Sequence, residues 1–169
     1  IFLARPLVGG WMGWALAAAP DAILLLVDRS ASMEARVAGA DESRREYALK
    51  MLADAAREFE HASHLVLLDS ATRQAREIAN AASLPGLPDT QATDTAADLP
   101  AMLQTALDWL IENQAGTAEI WIASDLQASN WQPDDPRWET IITAFDSMPQ
   151  KVRVRLLATT QESPGNASI

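Results

Sequence analysis

The chain has 169 residues and a mass of 18.3 kDa, the size of one domain, and its 49% hydrophobic and 21% charged residues exclude a disordered or low-complexity polypeptide. It contains no cysteine, which removes disulfides, thiolate metal sites and cysteine nucleophiles together. With 13 basic against 23 acidic residues and a formal charge of -10, its surface repels phosphate backbones, so nucleic acid is excluded as a partner and cations or basic patches are favoured.

The first 19 residues form an uncharged, glycine-punctuated stretch apart from Arg5, with Gly9, Gly10 and Gly13 among them and Trp11 and Trp14 as bulky anchors. A bilayer span needs about 20 continuous apolar residues, so the segment does not cross a membrane by itself. It reads either as the end of an upstream transmembrane helix leaving the membrane at Arg5-Pro6 or as an extension packed on the domain. Residues 20–160 form the domain proper. The polar tail 161–169, with Pro164 and Gly165, reads as a linker to a further region.

The run 22–27, Ala-Ile-Leu-Leu-Leu-Val, is continuously apolar and ends at Asp28, the pattern of a strand buried on both faces of a parallel sheet. Apolar residues at three- and four-residue spacing predict a helix over 41–60. A second buried strand follows at 64–68, then a polar turn and a short edge strand at 75–78. Residues 79–98 lack periodicity and read as a long loop, a place where function concentrates. Asp98 as N-cap and Pro100 in the first turn open a strongly amphipathic helix through Ile111, which Gly116 stops. A third buried strand at 119–124 ends at Asp125, a polar stretch covers 127–136, a helix spans 138–148, and an alternating strand at 152–157 lies nearer an edge. The sum is a doubly wound α/β domain whose mostly parallel sheet has helices on both faces, and such sheets gather ligands where strand order reverses, beyond the carboxyl ends of the strands.

Asp28-Arg29-Ser30-Ala31-Ser32 sits at that place. Alternate spacing lets a loop over a strand end aim Asp28, Ser30 and Ser32 at one point, and Asp125 ends a neighbouring strand. A carboxylate, two hydroxyls and a second carboxylate supply part of the six-oxygen shell, at about 2.1 Å, that Mg²⁺ requires. Glu112, Glu119, Asp134 and Asp135 read as solvated charge, His61 and His64 as surface or capping residues, Trp109 and Trp121 as core, and Trp131 and Trp138 as cover for the loop.

Val27-Asp28-Arg29-Ser30-Ala31-Ser32-Met33 after an apolar strand resembles the metal-ion-dependent adhesion site of von Willebrand factor type A domains, and the order of elements extends the resemblance over nearly the whole chain. The resemblance implies a Rossmann-like fold, Mg²⁺ as cofactor, Ser30 and Ser32 as direct ligands, and Asp28 and Asp125 acting mostly through water. It also implies a protein partner whose acidic side chain completes the metal shell. The family commonly reads Gly-Thr-Asp-Leu before the central helix, whereas this chain reads Ala96-Ala97-Asp98-Leu99, which puts Ala97 on the threonine position. Thr95 is carried as the candidate replacement ligand, with Thr93 and Asp98 as alternatives; without one of them the site is partial.

Ala4-Arg5-Pro6 ahead of a Gly/Trp-rich segment, with Ser124-Asp125-Leu126-Gln127 followed by Trp131, is similar to the bacterial membrane-anchored members related to the aerotolerance regulators. That similarity implies anchoring upstream in the bacterial inner membrane and a periplasmic domain. The expected function is therefore a protein-interaction module, not an enzyme. Two other readings stay open: a metal-free scaffold with a degenerate site, and a Mg²⁺-dependent phosphoryl-transfer enzyme with Asp28 as nucleophile, although Ser30 stands where such enzymes usually carry a second aspartate.

Overall fold

The computed structural model describes residues 5–6, 20–37, 39, 41–59 and 61–159. The described residues form one six-stranded sheet of β1 (Arg5–Pro6), β2 (Ala22–Val27), β3 (His64–Asp69), β4 (Ala75–Glu77), β5 (Ala118–Ser124) and β6 (Val152–Ala158) in the order β1-β6-β5-β2-β3-β4. Every pairing is parallel except β3 with β4. The helices are α1 (Arg44–Arg57), α2 (Leu99–Glu112), the short α3 (Ala128–Trp131) and α4 (Arg137–Ser147). The expected α/β doubly wound architecture is thus the one observed.

The apolar run of β2 explains its central place, since all six residues are fully buried. Ala22, Leu24 and Leu26 join a core with α2 and α4 on one face; Ile23, Leu25 and Val27 join another with α1, Met33 and Trp121 on the opposite face. Alternate side chains of one strand therefore bind both layers to the sheet, and the hydrophobic term leaves it no other position. From β2 the chain winds through α1 to β3 on one side, then returns through α2 to β5 on the other. The reversal of strand order falls between β2 and β5, where the sheet continues for one more step as the Asp28 amide donates to the Ala123 carbonyl at 2.9 Å.

Several local expectations are corrected. Helix α1 starts at Arg44, not 41, because Ser43 makes a capping box: its hydroxyl accepts from the Glu46 amide at 3.1 Å while Glu46 Oε2 accepts from the Ser43 amide at 2.9 Å. Helix α2 ends at Glu112 with Asn113 as its cap. Gly116 instead makes the approach of the next turn to Asp21, where an added Cβ would lie 2.1 Å from Asp21 Oδ2. Residues 79–98 are not all irregular: 3₁₀ turns at Ala81–Gly86 and Pro88–Thr90 lie against α1, pinned by Leu84 and by the buried Thr90 hydroxyl, which reaches the Leu84 and Leu87 carbonyls at 2.8 Å. Glu119 is not solvated. It is buried, holds Arg155 at 2.7 and 3.0 Å, and accepts from the Trp121 indole at 2.8 Å, because its β5 position faces inward beside β6.

The expectations for the apolar first segment and the tail fall on residues 1–4, 7–19 and 160–169, outside the described residues. What is described there is the backbone of Arg5–Pro6, which lies parallel to β6 and makes β6 the second strand from that edge.

Candidate functional site

Three parallel neighbours, β2, β3 and β5, each deliver an aspartate at the carboxyl end: Asp28, Asp69 and Asp125. Asp28 is completely buried. Its Oδ1 accepts from the Ser30 amide at 2.9 Å and the Ser30 hydroxyl at 2.6 Å, and its Oδ2 accepts from the Ser124 hydroxyl at 2.9 Å and the Asn130 side-chain amide at 3.1 Å. A buried carboxylate is tolerated only when its lone pairs are met in this way. Ser30 Oγ lies 3.1 Å from Ser32 Oγ, so the alternate spacing does bring the two hydroxyls together. Asn130 also donates to Ser30 Oγ at 3.2 Å, and because the Ser30 proton goes to Asp28, the Ser32 hydroxyl is the donor in the 3.1 Å contact.

Asn130 is a residue the sequence reading missed. It reaches the site from α3, and the turn that places α3 there is unusual: Leu126 has φ 62°, in the left-handed region that a bulky residue seldom occupies. The strain is held by the Leu126 amide donating to Ser124 Oγ at 3.2 Å. Behind α3, Trp131 stacks on Trp138 with ring centroids 5.8 Å apart, and the Trp138 indole donates to the Trp131 and Gln132 carbonyls at 3.0 Å. Both tryptophans are partly buried against the core that β2 shares with α2 and α4.

Asp125 has a side chain with no exposure, and it is less well met. Oδ2 lies 3.3 Å from an Arg44 guanidinium nitrogen at the start of α1, and Oδ1 accepts from the Gln127 amide at 3.4 Å. Arg44 is the second residue missed, since nothing in the helix periodicity marks it.

The third strand end is closed by Arg29, the residue between Asp28 and Ser30. Its guanidinium meets Asp69 Oδ1 at 2.6 Å and the Gln91 carbonyl at 2.6 Å, while its own amide donates to Ser70 Oγ at 2.9 Å. Asp69 also accepts from the Ala71 amide, the Thr72 amide and the Thr72 hydroxyl. Burial alone would raise its pKa, but the Thr72 hydrogen bonds and the Arg29 guanidinium outweigh burial and hold the carboxyl below its ordinary value. The Thr93 amide donates to the Arg29 carbonyl at 2.9 Å, so Arg29 also ties down the loop expected to supply the missing ligand.

That loop does not bring Thr95 to the hydroxyl pair by any hydrogen bond among the described residues. Thr95 is exposed and its amide donates to Thr93 Oγ1 at 3.1 Å. Ala97 is buried in the core. Asp98 turns away: Oδ1 caps α2 through the Ala101 amide at 3.1 Å, and Oδ2 pairs with Arg137 at 3.0 Å and lies 4.0 Å from Arg73. The same arginines border a cleft of about 400 Å³ between α2 and α4, floored by Ala101 and Ile141.

The donor set fits a hard cation weakly. Adjacent corners of an octahedron with bonds of about 2.1 Å lie about 3.0 Å apart, close to the 3.1 Å between the two hydroxyl oxygens. Ser30 and Ser32 therefore match two neighbouring positions, with Asp28 orienting Ser30 from below. Among the described residues no group of three or more His, Asp or Glu side chains gathers as a metal site, so carboxylates do not dominate the arrangement. Neither the protein-family models nor the curated proteins contain a match to this chain.

Proposed function

We propose that the domain is a protein-docking module of the von Willebrand factor type A kind, which receives an acidic side chain of its partner at the β2/β5 switch point. The observation that carries this reading is the pair of hydroxyls, Ser30 Oγ and Ser32 Oγ, set 3.1 Å apart above the buried Asp28. Mg²⁺ bound there would supply an electrophilic bridge between the two serines and the partner's carboxylate. The chain's own residues do the positioning. Asp28 takes the Ser30 proton, so Ser30 faces Ser32 with a lone pair, Asn130 fixes the same oxygen from α3, and Asp125 adds negative charge at the end of the neighbouring strand. The anchor of this reading lies upstream, in the inner membrane of a bacterium, with the domain on the periplasmic side; no helix of the described residues is long and apolar enough to cross a membrane.

Docking is preferred to phosphoryl transfer because Asp28 has both oxygens engaged by four donors and no exposure, so it presents no free oxygen to a phosphoryl group. A metal-free scaffold is the second reading, and the Arg44–Asp125 pair favours it by placing a cationic side chain where an ion would gain most. Isothermal titration of Mg²⁺ into the wild type, Ser32→Ala and Asp28→Ala, followed by glutarate as a carboxylate probe, separates the readings. The bridged mechanism requires Mg²⁺ binding that both variants lose and glutarate binding that needs Mg²⁺. Equal Mg²⁺ binding by all three proteins sinks it.

A further inference from the structure

Asp125 is the anomaly among the three strand ends. Its side chain is as inaccessible as that of Asp28, yet its contacts are at 3.3 and 3.4 Å, whereas Asp28 and Asp69 each collect four donors at 3.1 Å or closer. A buried carboxylate left short of hydrogen bonds is costly, and a closer cation relieves that cost. Arg44, whose amide donates to the Ala35 carbonyl just past the serine loop at 2.9 Å, supplies positive charge there, and among the described residues Asp125 is its one charged partner. The geometry of that contact is a single nitrogen, not the two-pronged fork by which Arg usually holds a carboxylate.

We propose that Arg44 is a displaceable counter-cation for Asp125, competing with a divalent ion and thereby setting how tightly the Ser30/Ser32 site holds one. The inference rests on the docking reading above and adds its regulation. The site has two states. In one, the guanidinium neutralises Asp125 and the serine pair holds no ion; in the other, the ion neutralises Asp125 and Arg44 turns outward from the first turn of α1. Its four-bond stem makes that rotation possible without moving the helix, whose cap is Ser43 with Glu46. Arg44 thus raises the ion concentration at which the second state is populated, since an ion entering the first state meets a site already carrying positive charge.

Mn²⁺ binding, followed by loss of the free-ion EPR signal, tests this on the wild type, Arg44→Gln, Arg44→Lys and Ser32→Ala, with melting in EDTA to establish that each is folded. Arg44→Gln is expected to bind Mn²⁺ about tenfold more tightly than wild type, as removal of a neighbouring unit charge requires. Arg44→Lys keeps the charge and is expected to stay close to wild type, and Ser32→Ala to lose binding. Measurable, equal affinities in wild type and Arg44→Gln overturn the competition while leaving the metal reading standing. No binding in wild type or Arg44→Gln overturns both, and the two failures are told apart by whether Mn²⁺ is held at all.

Discussion

Two arginine–aspartate pairs stand at neighbouring strand ends, and they are built differently. Arg29 and Asp69 meet at 2.6 Å with side chains 9% and 3% exposed, and the turn that follows adds three more donors to Asp69, the Ala71 and Thr72 amides on Oδ1 and the Thr72 hydroxyl on Oδ2. Arg44 and Asp125 meet at 3.3 Å with side chains 15% and 0% exposed, and no comparable turn serves the carboxylate. The first pair is a lock: it ties the ends of β2 and β3 to the 91–93 segment. The second is a loose neutralisation at the edge of the hydroxyl pair. Short, saturated contacts build the frame, and the unsaturated one lies where a ligand would act.

The sharpest way to break this comparison is to remove one partner of the lock. Arg29→Ala leaves Asp69 buried and unpaired and is expected to cost about 3–5 kcal/mol in denaturant unfolding. Asp28→Ala comes next. It strands the Ser30, Ser124 and Asn130 donors, with an expected loss of about 2 kcal/mol by the same measurement. The loose pair should respond far less: Asp125→Asn is expected to change stability in EDTA by less than about 1 kcal/mol, because the amide keeps the shape and sheds a poorly compensated charge. If Asp125→Asn proves as damaging as Arg29→Ala, the two pairs are alike and the contrast fails.

The smallest effect is a pH dependence. The Asp69 carboxyl is depressed in the folded state, so its stabilising contribution is complete above the unfolded aspartate value, about 3.9, and fades as pH falls toward the lower folded value. Melting temperature measured from pH 5 to pH 2 should fall less steeply in Asp69→Asn than in wild type. An unchanged slope would mean that Asp69 is not held by Arg29 and Thr72 in solution.

The frame was readable because its signals are local. The unbroken apolar run of β2 identifies a doubly buried strand, Asp98 three residues before Ala101 identifies a cap, and both appear where the spacing puts them. The Asp28, Ser30 and Ser32 cluster was legible for the same reason, being held within five residues. What stayed hidden depends on distant chain segments. Asn130 lies 102 residues from Asp28, Arg44 lies 81 from Asp125, and Arg29 lies 40 from Asp69. No periodicity encodes these contacts; they arise only once parallel strands set their ends side by side. Glu119 was misjudged on the same grounds, since its burial depends on Arg155 arriving from β6. The Thr95 expectation assumed a loop free to bend inward, whereas two 3₁₀ turns and the Arg29 tether fix its approach.

The stack of Trp131 on Trp138 has an optical consequence. Trp131 is the residue next to Asn130, so any event at Asp28 or Ser30 that shifts α3 also changes the distance and tilt between two indoles lying 13° from coplanar. Near-ultraviolet circular dichroism responds to such fixed aromatic packing. The protein therefore carries its own spectroscopic gauge, readable without a label, for any displacement of α3 at the end of the sheet.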